Sequence, residues 1–120
     1  MKTDKTCEIE WITIPAEDLE LAKEFYSEVF GFRLTPFNET FVVFETGNIS
    51  GGLDQELRSC ESGGVGFSIT VGSINECIKR LIKYECEILR EPYELGPNAG
   101  YIAKFKDPNG NILELYSTSF

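Results

Sequence analysis

The chain has 120 residues and a mass of 13.5 kDa, enough for one domain with a real core and too little for two independent ones. Hydrophobic residues make up 42% and aromatics 12%, with no low-complexity run, so the chain is expected to fold. Its net charge is −9 with no basic cluster, which argues against nucleic acid and anionic membranes as partners and would attract a cationic small ligand.

No apolar stretch approaches the ~20 residues of a membrane-spanning helix, and "MKTDKTCEIE" lacks the apolar core of a secretory signal, so the reading is a soluble, cytoplasmic protein. Cys7, Cys60, Cys77 and Cys86 are spaced too irregularly for a zinc motif or a disulfide framework and are expected to be free thiols. Histidine is absent altogether. That removes the commonest general base and metal ligand, and every Ser/His or Cys/His nucleophilic pair.

In chain order, "CEIEWITI" (7–14) reads as a strand. "DLELAKEFYSEVFG" follows as a helix, with Asp18 as N-cap, Leu19, Ala22, Tyr26, Val29 and Phe30 along one side, and Gly31 at the exit. "FRLTPF", "TFVVFE" and "NISGGL" read as three further strands. "CESGGVG" (60–66) contains a small, polar linker. "VGFSITV" (65–71) opens the order again, and "SINECIKRLIKY" is a helix. Its Ser73 and Glu76 have capping-box spacing, and its stripe is Ile74, Cys77, Ile78, Leu81 and Ile82. "CEILRE", "YIAKFK" and "NILELY" complete the second set of strands, and the intervening "EPYELGPNAGY" (91–101) reads as a long connector.

The chain is therefore written twice as β-α-β-β-β. Leu19 falls on Ile74, Ala22 on Cys77, Tyr26 on Leu81 and Leu34 on Leu89 at one constant displacement. "GNI" at 47–49 returns at 110–112 at a longer one, both copies lying at the turn before a last strand. Module one spans about residues 7–54, the linker about 55–64 and module two about 65–117 of a single domain.

Asp18 to Phe32, "D-L-x-x-A-x-x-F-Y-x-x-V-F-G-F", and Asp107 to Leu115, "D-P-N-G-N-I-L-E-L", together with the doubled module, resemble the vicinal oxygen chelate superfamily. That group includes glyoxalase I, extradiol dioxygenases, fosfomycin-resistance enzymes and bleomycin-resistance proteins. The resemblance implies an α+β fold in which two βαβββ modules form a curled mixed β-sheet around a concave cavity, with the helices packed outside. It further implies, in metal-using members, one ligand from the first strand and one from the last strand of each module. Those positions fall here on Trp11, Gly66, Gly51 and Glu114. Only Glu114 is a ligand, with Glu45 as the nearest carboxylate to assist it, so no catalytic metal and no other cofactor is expected. Glyoxalase and extradiol dioxygenase chemistry are accordingly not expected.

Strand alternation places Ile9, Trp11 and Thr13 on the inner side, with Ile49, Gly51 and Leu53, Gly66, Ser68 and Thr70, and Ile112, Glu114 and Tyr116. Phe41, Val43 and Glu45 join them, as do Tyr101, Ala103 and Phe105. Such a hollow suits a small molecule, Trp11 stacking on a planar ligand and Glu114 pairing with a cation or accepting a hydrogen bond, while Tyr93 reaches in from the connector. Alternatively, Trp11 fills the hollow and Glu114 is satisfied by backbone amides, Tyr101 or Tyr116. Three functions remain open on these residues. One is a metal-free protein binding a small aromatic or cationic ligand. Another is a metal-independent lyase or isomerase with Glu114 as general acid or base, its pKa raised by burial. The third is a non-catalytic interaction subunit. Members of the superfamily commonly pair, with sites built within one chain or across two, and a homodimer is expected.

Overall fold

The computed structural model describes residues 8–120; Cys7, and with it the start of the first predicted strand, lies outside them. The elements run β1 (Trp11–Pro15), α1 (Leu19–Phe30), β2 (Arg33–Asn38), β3 (Phe41–Thr46), β4 (Ile49–Asp54), β5 (Ser68–Thr70), α2 (Ile74–Lys83), β6 (Ile88–Glu94), β7 (Tyr101–Lys106) and β8 (Ile112–Ser117). The fold is α+β and carries the βαβββ order twice.

Both helices begin and end where their local chemistry dictates. The Asp18 carboxylate accepts the Leu21 amide at 3.1 Å, and Gly31 closes α1 in the left-handed conformation at φ 69°, which costs a residue without a Cβ little. The Ser73 hydroxyl accepts the Glu76 amide at 3.3 Å, so that half of the expected capping box is present; the Glu76 carboxylate lies 3.6 Å from Lys79. α1 buries Leu19, Ala22, Phe25, Tyr26 and Val29; α2 buries Ile74, Cys77, Ile78 and Leu81. Phe25 joins the buried stripe of α1, Phe30 packs partly buried against the core, and Ile82, expected in the stripe of α2, is 59% exposed.

The strands form two four-stranded sheets, ordered β1-β4-β3-β2 and β5-β8-β7-β6. In each the first strand pairs in parallel with the last, and the remaining pairs are antiparallel. One face of each sheet is covered by helix and core; among the described residues the other is uncovered. Trp11, Thr13, Gly52, Val43, Phe41 and Glu45 share the uncovered side of the first sheet, and Ser68, Thr70, Glu114, Tyr116, Ile102 and Lys104 that of the second.

This register corrects the expected inner face in two places. Gly51, with Ile49 and Leu53, lies on the helix side of β4, where a methyl on Gly51 would strike the Ile12 carbonyl oxygen and the Phe44 ring. The reason lies in the turns. Thr46 pairs directly with Ile49 across Gly47 and Asn48, whereas Lys106 pairs with Ile112 across the five residues 107–111. The two "GNI" copies therefore enter their strands one residue out of phase, and Gly52 is the true counterpart of Glu114. Tyr101, Ala103 and Phe105 also face the helices: Ala103 pairs with Leu115 and Phe105 with Leu113, and Phe105 packs on Phe25 and Phe30.

The core is continuous across both sheets. Phe25 meets Tyr26, Phe30, Tyr84 and Phe105, so α1 packs against module two as well as its own sheet. Beneath it Asp107, 4% exposed, accepts four hydrogen bonds: Tyr26 Oη at 2.6 Å and Asn111 Nδ2 at 2.8 Å on one oxygen, and the amides of Asn109 and Asn111 at 2.9 Å on the other. Asn111 also donates to the Pro15 carbonyl at 2.7 Å, while Asn109 accepts the Asp18 amide at 2.7 Å and donates to the Asp18 carbonyl at 3.1 Å. The 107–111 turn of module two is thereby fastened to the start of α1 in module one.

Burial, then the adjacent Asp107 charge and the hydrogen bond to it, push the Tyr26 hydroxyl well above its ordinary value of 10.0. Its neutral form is thus favoured in the folded state, and its contribution is complete below pH 10.0 and declines as pH rises past that point, where the unfolded chain ionises first. Tyr26→Phe should cost about 1.5–3 kcal/mol in urea unfolding at neutral pH, the range for a hydrogen bond to a charged group. The gap between wild type and variant should narrow above pH 10.0; an unchanged gap would mean that the hydroxyl is not held neutral.

Candidate functional site

The uncovered face of the first sheet is aromatic. Trp11, 48% exposed, and Phe41 lie with ring planes within 10° and centroids 6.5 Å apart, and Phe37 meets Phe41 edge-on at 6.2 Å. The indole N–H donates to Thr13 Oγ1 at 2.9 Å, so Trp11 presents a π surface with its one polar atom already satisfied. Glu45, on the same face, is paired with Arg33 at 3.1 Å, and the two line a shallow polar hollow with Gly31, Thr46, Gly47 and Ser50.

On the second sheet Glu114 is half-buried and accepts a hydrogen bond from Ser68 Oγ at 2.9 Å, with Lys104 opposite it in register. Neither tyrosine that might have satisfied it does so: Tyr116 donates to the Ala99 carbonyl at 2.9 Å, and Tyr101 packs on Phe120 on the helix side. Tyr93 belongs to β6 and not to a connector. It pairs with Ile102, and the Arg90 guanidinium lies 3.9 Å above its ring.

A cleft of about 490 Å³ lies between the free edge of β1 and the segment leading into β5. It is predominantly apolar, with Trp11, Ile12, Val65, Phe67 and Ile112 among its walls, and Thr13, Arg58, Cys60 and Asn111 as its polar residues. Of the predicted site residues it gathers Trp11 and Gly66; Phe41, Glu45, Ser68, Glu114 and Tyr93 stand outside it. Trp11 and Glu114 both lie on uncovered faces, but on separate sheets.

The positions that hold metal in the resembling fold carry Trp11, Gly66, Gly52 and Glu114 once the register is corrected. Among the described residues no three of His, Cys, Asp or Glu converge. A single carboxylate bonded to a serine does not furnish the three or more ligands that a divalent ion takes, so the donor set does not fit the group.

A family model described as Glyoxalase/Bleomycin resistance protein/Dioxygenase superfamily matches residues 8–115. The chain belongs to that superfamily. A glyoxylase-like domain-containing protein of Didymella fabae is 29% identical over 113 residues, covering 87% of this chain and 88% of the relative. Solved structures of the superfamily fold lie close to it. A family enzyme from Burkholderia phytofirmans has a TM-score of 0.77 at 18% identity, over 93% of this chain and 99% of that one. The fosfomycin resistance protein FosX of Listeria monocytogenes has 0.76 at 14%, over 93% of each. A lactoylglutathione lyase from Agrobacterium tumefaciens has 0.69 at 23%, over 93% and 94%. At these identities the likeness shows the fold alone.

Two features escaped the sequence reading. Gly52 was hidden by its neighbour Gly51, although Leu53, a core residue, could have fixed the alternation. Lys104 was hidden by a register error that the pattern Ala103-Lys104-Phe105-Lys106 contradicts, since small and apolar residues alternate there with charges.

The thiols differ sharply. A hydrogen-bonding contact of Sγ with Ser62 Oγ at 3.5 Å lowers the Cys60 pKa, while burial pushes Cys77 up to about 11 and Cys86 to about 12. Iodoacetamide at pH 7–8 should therefore alkylate Cys60 in the native protein and leave Cys77 and Cys86 untouched until denaturant is added, as read by peptide mapping. Early labelling of Cys77 or Cys86 would contradict their burial.

Proposed function

We propose that the protein is a metal-free small-molecule-binding member of the superfamily, taking a small aromatic or cationic ligand against the Trp11–Phe41 face. The observation that carries this reading is the pair of parallel, partly exposed rings on a sheet face with no helix over it. An apolar aromatic surface supplies affinity, and a few polar groups fix orientation. Glu114 and Ser68 are the polar groups assigned here, with Lys104 beside them.

Because the two faces belong to separate sheets of one chain, the reading includes a homodimer in which a second copy brings the aromatic face of one chain toward the carboxylate face of the other. The exposed apolar side chains Ile9, Trp11 and Val65, at the cleft between the sheet edges, support such pairing. Membership of a superfamily that includes bleomycin resistance proteins agrees with a role in capturing a small molecule. Free thiols at Cys60, Cys77 and Cys86 agree with a reducing cytoplasm, and no described helix is long and apolar enough to cross a membrane.

A second reading, a metal-independent lyase or isomerase with Glu114 as general acid or base, draws support from the Ser68–Glu114 hydrogen bond, which orients the carboxylate on an uncovered face. Loss of turnover in Glu114→Gln with binding retained would favour it.

Titration of a panel of flat aromatic and cationic compounds should quench the protein's single tryptophan saturably. Trp11→Ala should then weaken the best binder by roughly tenfold or more while leaving the urea midpoint nearly unchanged, since the side chain is half exposed. Metal at stoichiometric level in protein purified without added ions, or a Trp11→Ala variant that loses stability but no affinity, would overturn the reading.

A further inference from the structure

We propose that Gly52 is the positioning residue of the aromatic face: carrying no side chain, it lets the Phe41 ring lie across the sheet parallel to Trp11, and so selects planar aromatic ligands. The inference rests on the reading of that face as the binding surface. In register Gly52 lies between Thr13 of β1 and Val43 of β3, and Phe41 sits diagonally beside it, opposite Asp54. Diagonal neighbours on one sheet face are within reach of an aromatic side chain. A methyl built on Gly52 would lie only 2.0 Å from Cζ at the tip of the Phe41 ring, and the three atoms nearest to it all belong to that ring.

No other demand of the chain explains a glycine there. Gly52 is not among the residues at positive φ, so its backbone conformation is open to any amino acid. Gly51 differs, because its hydrogen faces the Ile12 carbonyl oxygen and the core ring of Phe44. Only the flat placement of Phe41 requires position 52 to be bare.

The second sheet makes the contrast. Glu114 occupies the same register position there, between Ser68 and Lys104, and its side chain bonds to Ser68 Oγ at 2.9 Å. One position thus decides whether a face offers a carboxylate or a flat ring. Since Thr13 already takes the indole N–H, the surface Gly52 allows has no free donor at Trp11 and suits a planar π system, preferentially a cationic one.

The experiment uses Gly52→Ala, Phe41→Ala and the double variant, with Gly51→Ala as control. Ring-to-ring NOEs between Trp11 and Phe41, thermal unfolding, and titration with proflavine, a planar aromatic cation, are the readouts. Gly52→Ala should abolish the NOEs, lower the midpoint and weaken proflavine by about tenfold, the scale of one aromatic stacking contact. In the double variant the added methyl has no ring to strike, so its midpoint should match that of Phe41→Ala alone, and folding of the double variant supports the point even if Gly52→Ala does not fold. No such rescue should occur for Gly51→Ala combined with Phe41→Ala. Additive loss of stability in the double variant, or intact NOEs in Gly52→Ala, would overturn the positioning role. Unchanged proflavine affinity after loss of the NOEs would overturn the ligand class. A wild-type protein that ignores proflavine would sink both that class and the binding reading, while the NOEs and the stability cycle would still decide what Gly52 does.

Discussion

The buried carboxylate of Asp107 is the polar joint between the two modules, set beside the packing of Phe25 of α1 on Tyr84 and Phe105 of module two. Four donors converge on its two oxygens, one from α1 of module one and three from its own turn, and burial raises its pKa above the ordinary carboxylate value although those same hydrogen bonds act to lower it. A carboxylate left unpaired at that depth would be costly, so the turn and the helix cannot part cheaply. Asn109 and Asn111 extend the fastening to Asp18 and Pro15, the two ends of the loop that joins β1 to α1. With that joint closed, the free edge of β1 and the approach to β5 are held apart at a fixed separation, and the cleft between them has a defined shape.

This also accounts for a motif that looks functional in a linear sequence. In "DPNGN" the Asp accepts from its own turn and from Tyr26, and Gly110 takes the positive φ of 90° that closes that turn. The two uncovered faces differ, the duplicated topology being filled there in opposite ways. At equivalent register positions the first sheet has Thr13, Gly52 and Val43 and the second Ser68, Glu114 and Lys104. One face carries aromatic rings beside Thr13 and the Glu45–Arg33 pair; the other carries a carboxylate beside a cation.

Much of this was legible in the residues. The helices announce themselves through caps that the structure uses, and the doubled element order predicts the doubled sheet topology. The registers were less so. A β-strand reads out its face only through parity, and parity depends on the number of residues in the preceding turn, which a tripeptide match cannot count. Hence Gly51 was assigned for Gly52, and Tyr101 and Phe105 were placed beside a ligand when they lie beneath helices. Tyr93 was read as loop because Pro92, Gly96 and Pro97 suggest one, yet β6 continues through Pro92 at a register irregularity between Arg90 and Tyr93, and Tyr93 is held in it by its pairing with Ile102. Long-range pairing decided that case over local propensity.

If a flat cation is the ligand, as proposed, the electrostatics of the two faces favour its capture in two stages. On the first sheet the indole N–H is taken by Thr13 and the Glu45 charge is paired with Arg33, so covering the rings with a flat ligand strips no unpaired polar atom there of water. Stacking at that surface is then a contact and burial term, short in range. The net charge of −9 acts at a distance and draws a cation toward the molecule, although salt near physiological strength confines that pull to about 8 Å. A fixed carboxylate contributes most close in, where two unit charges 4 Å apart gain about 1 kcal/mol in water and about 4 kcal/mol near a protein surface. Affinity for a flat cation would therefore rise steeply only when Glu114 comes within a few ångströms of a molecule already resting on Trp11. On the proposed reading that requires the two faces to be apposed, and a pair of chains would supply the apposition.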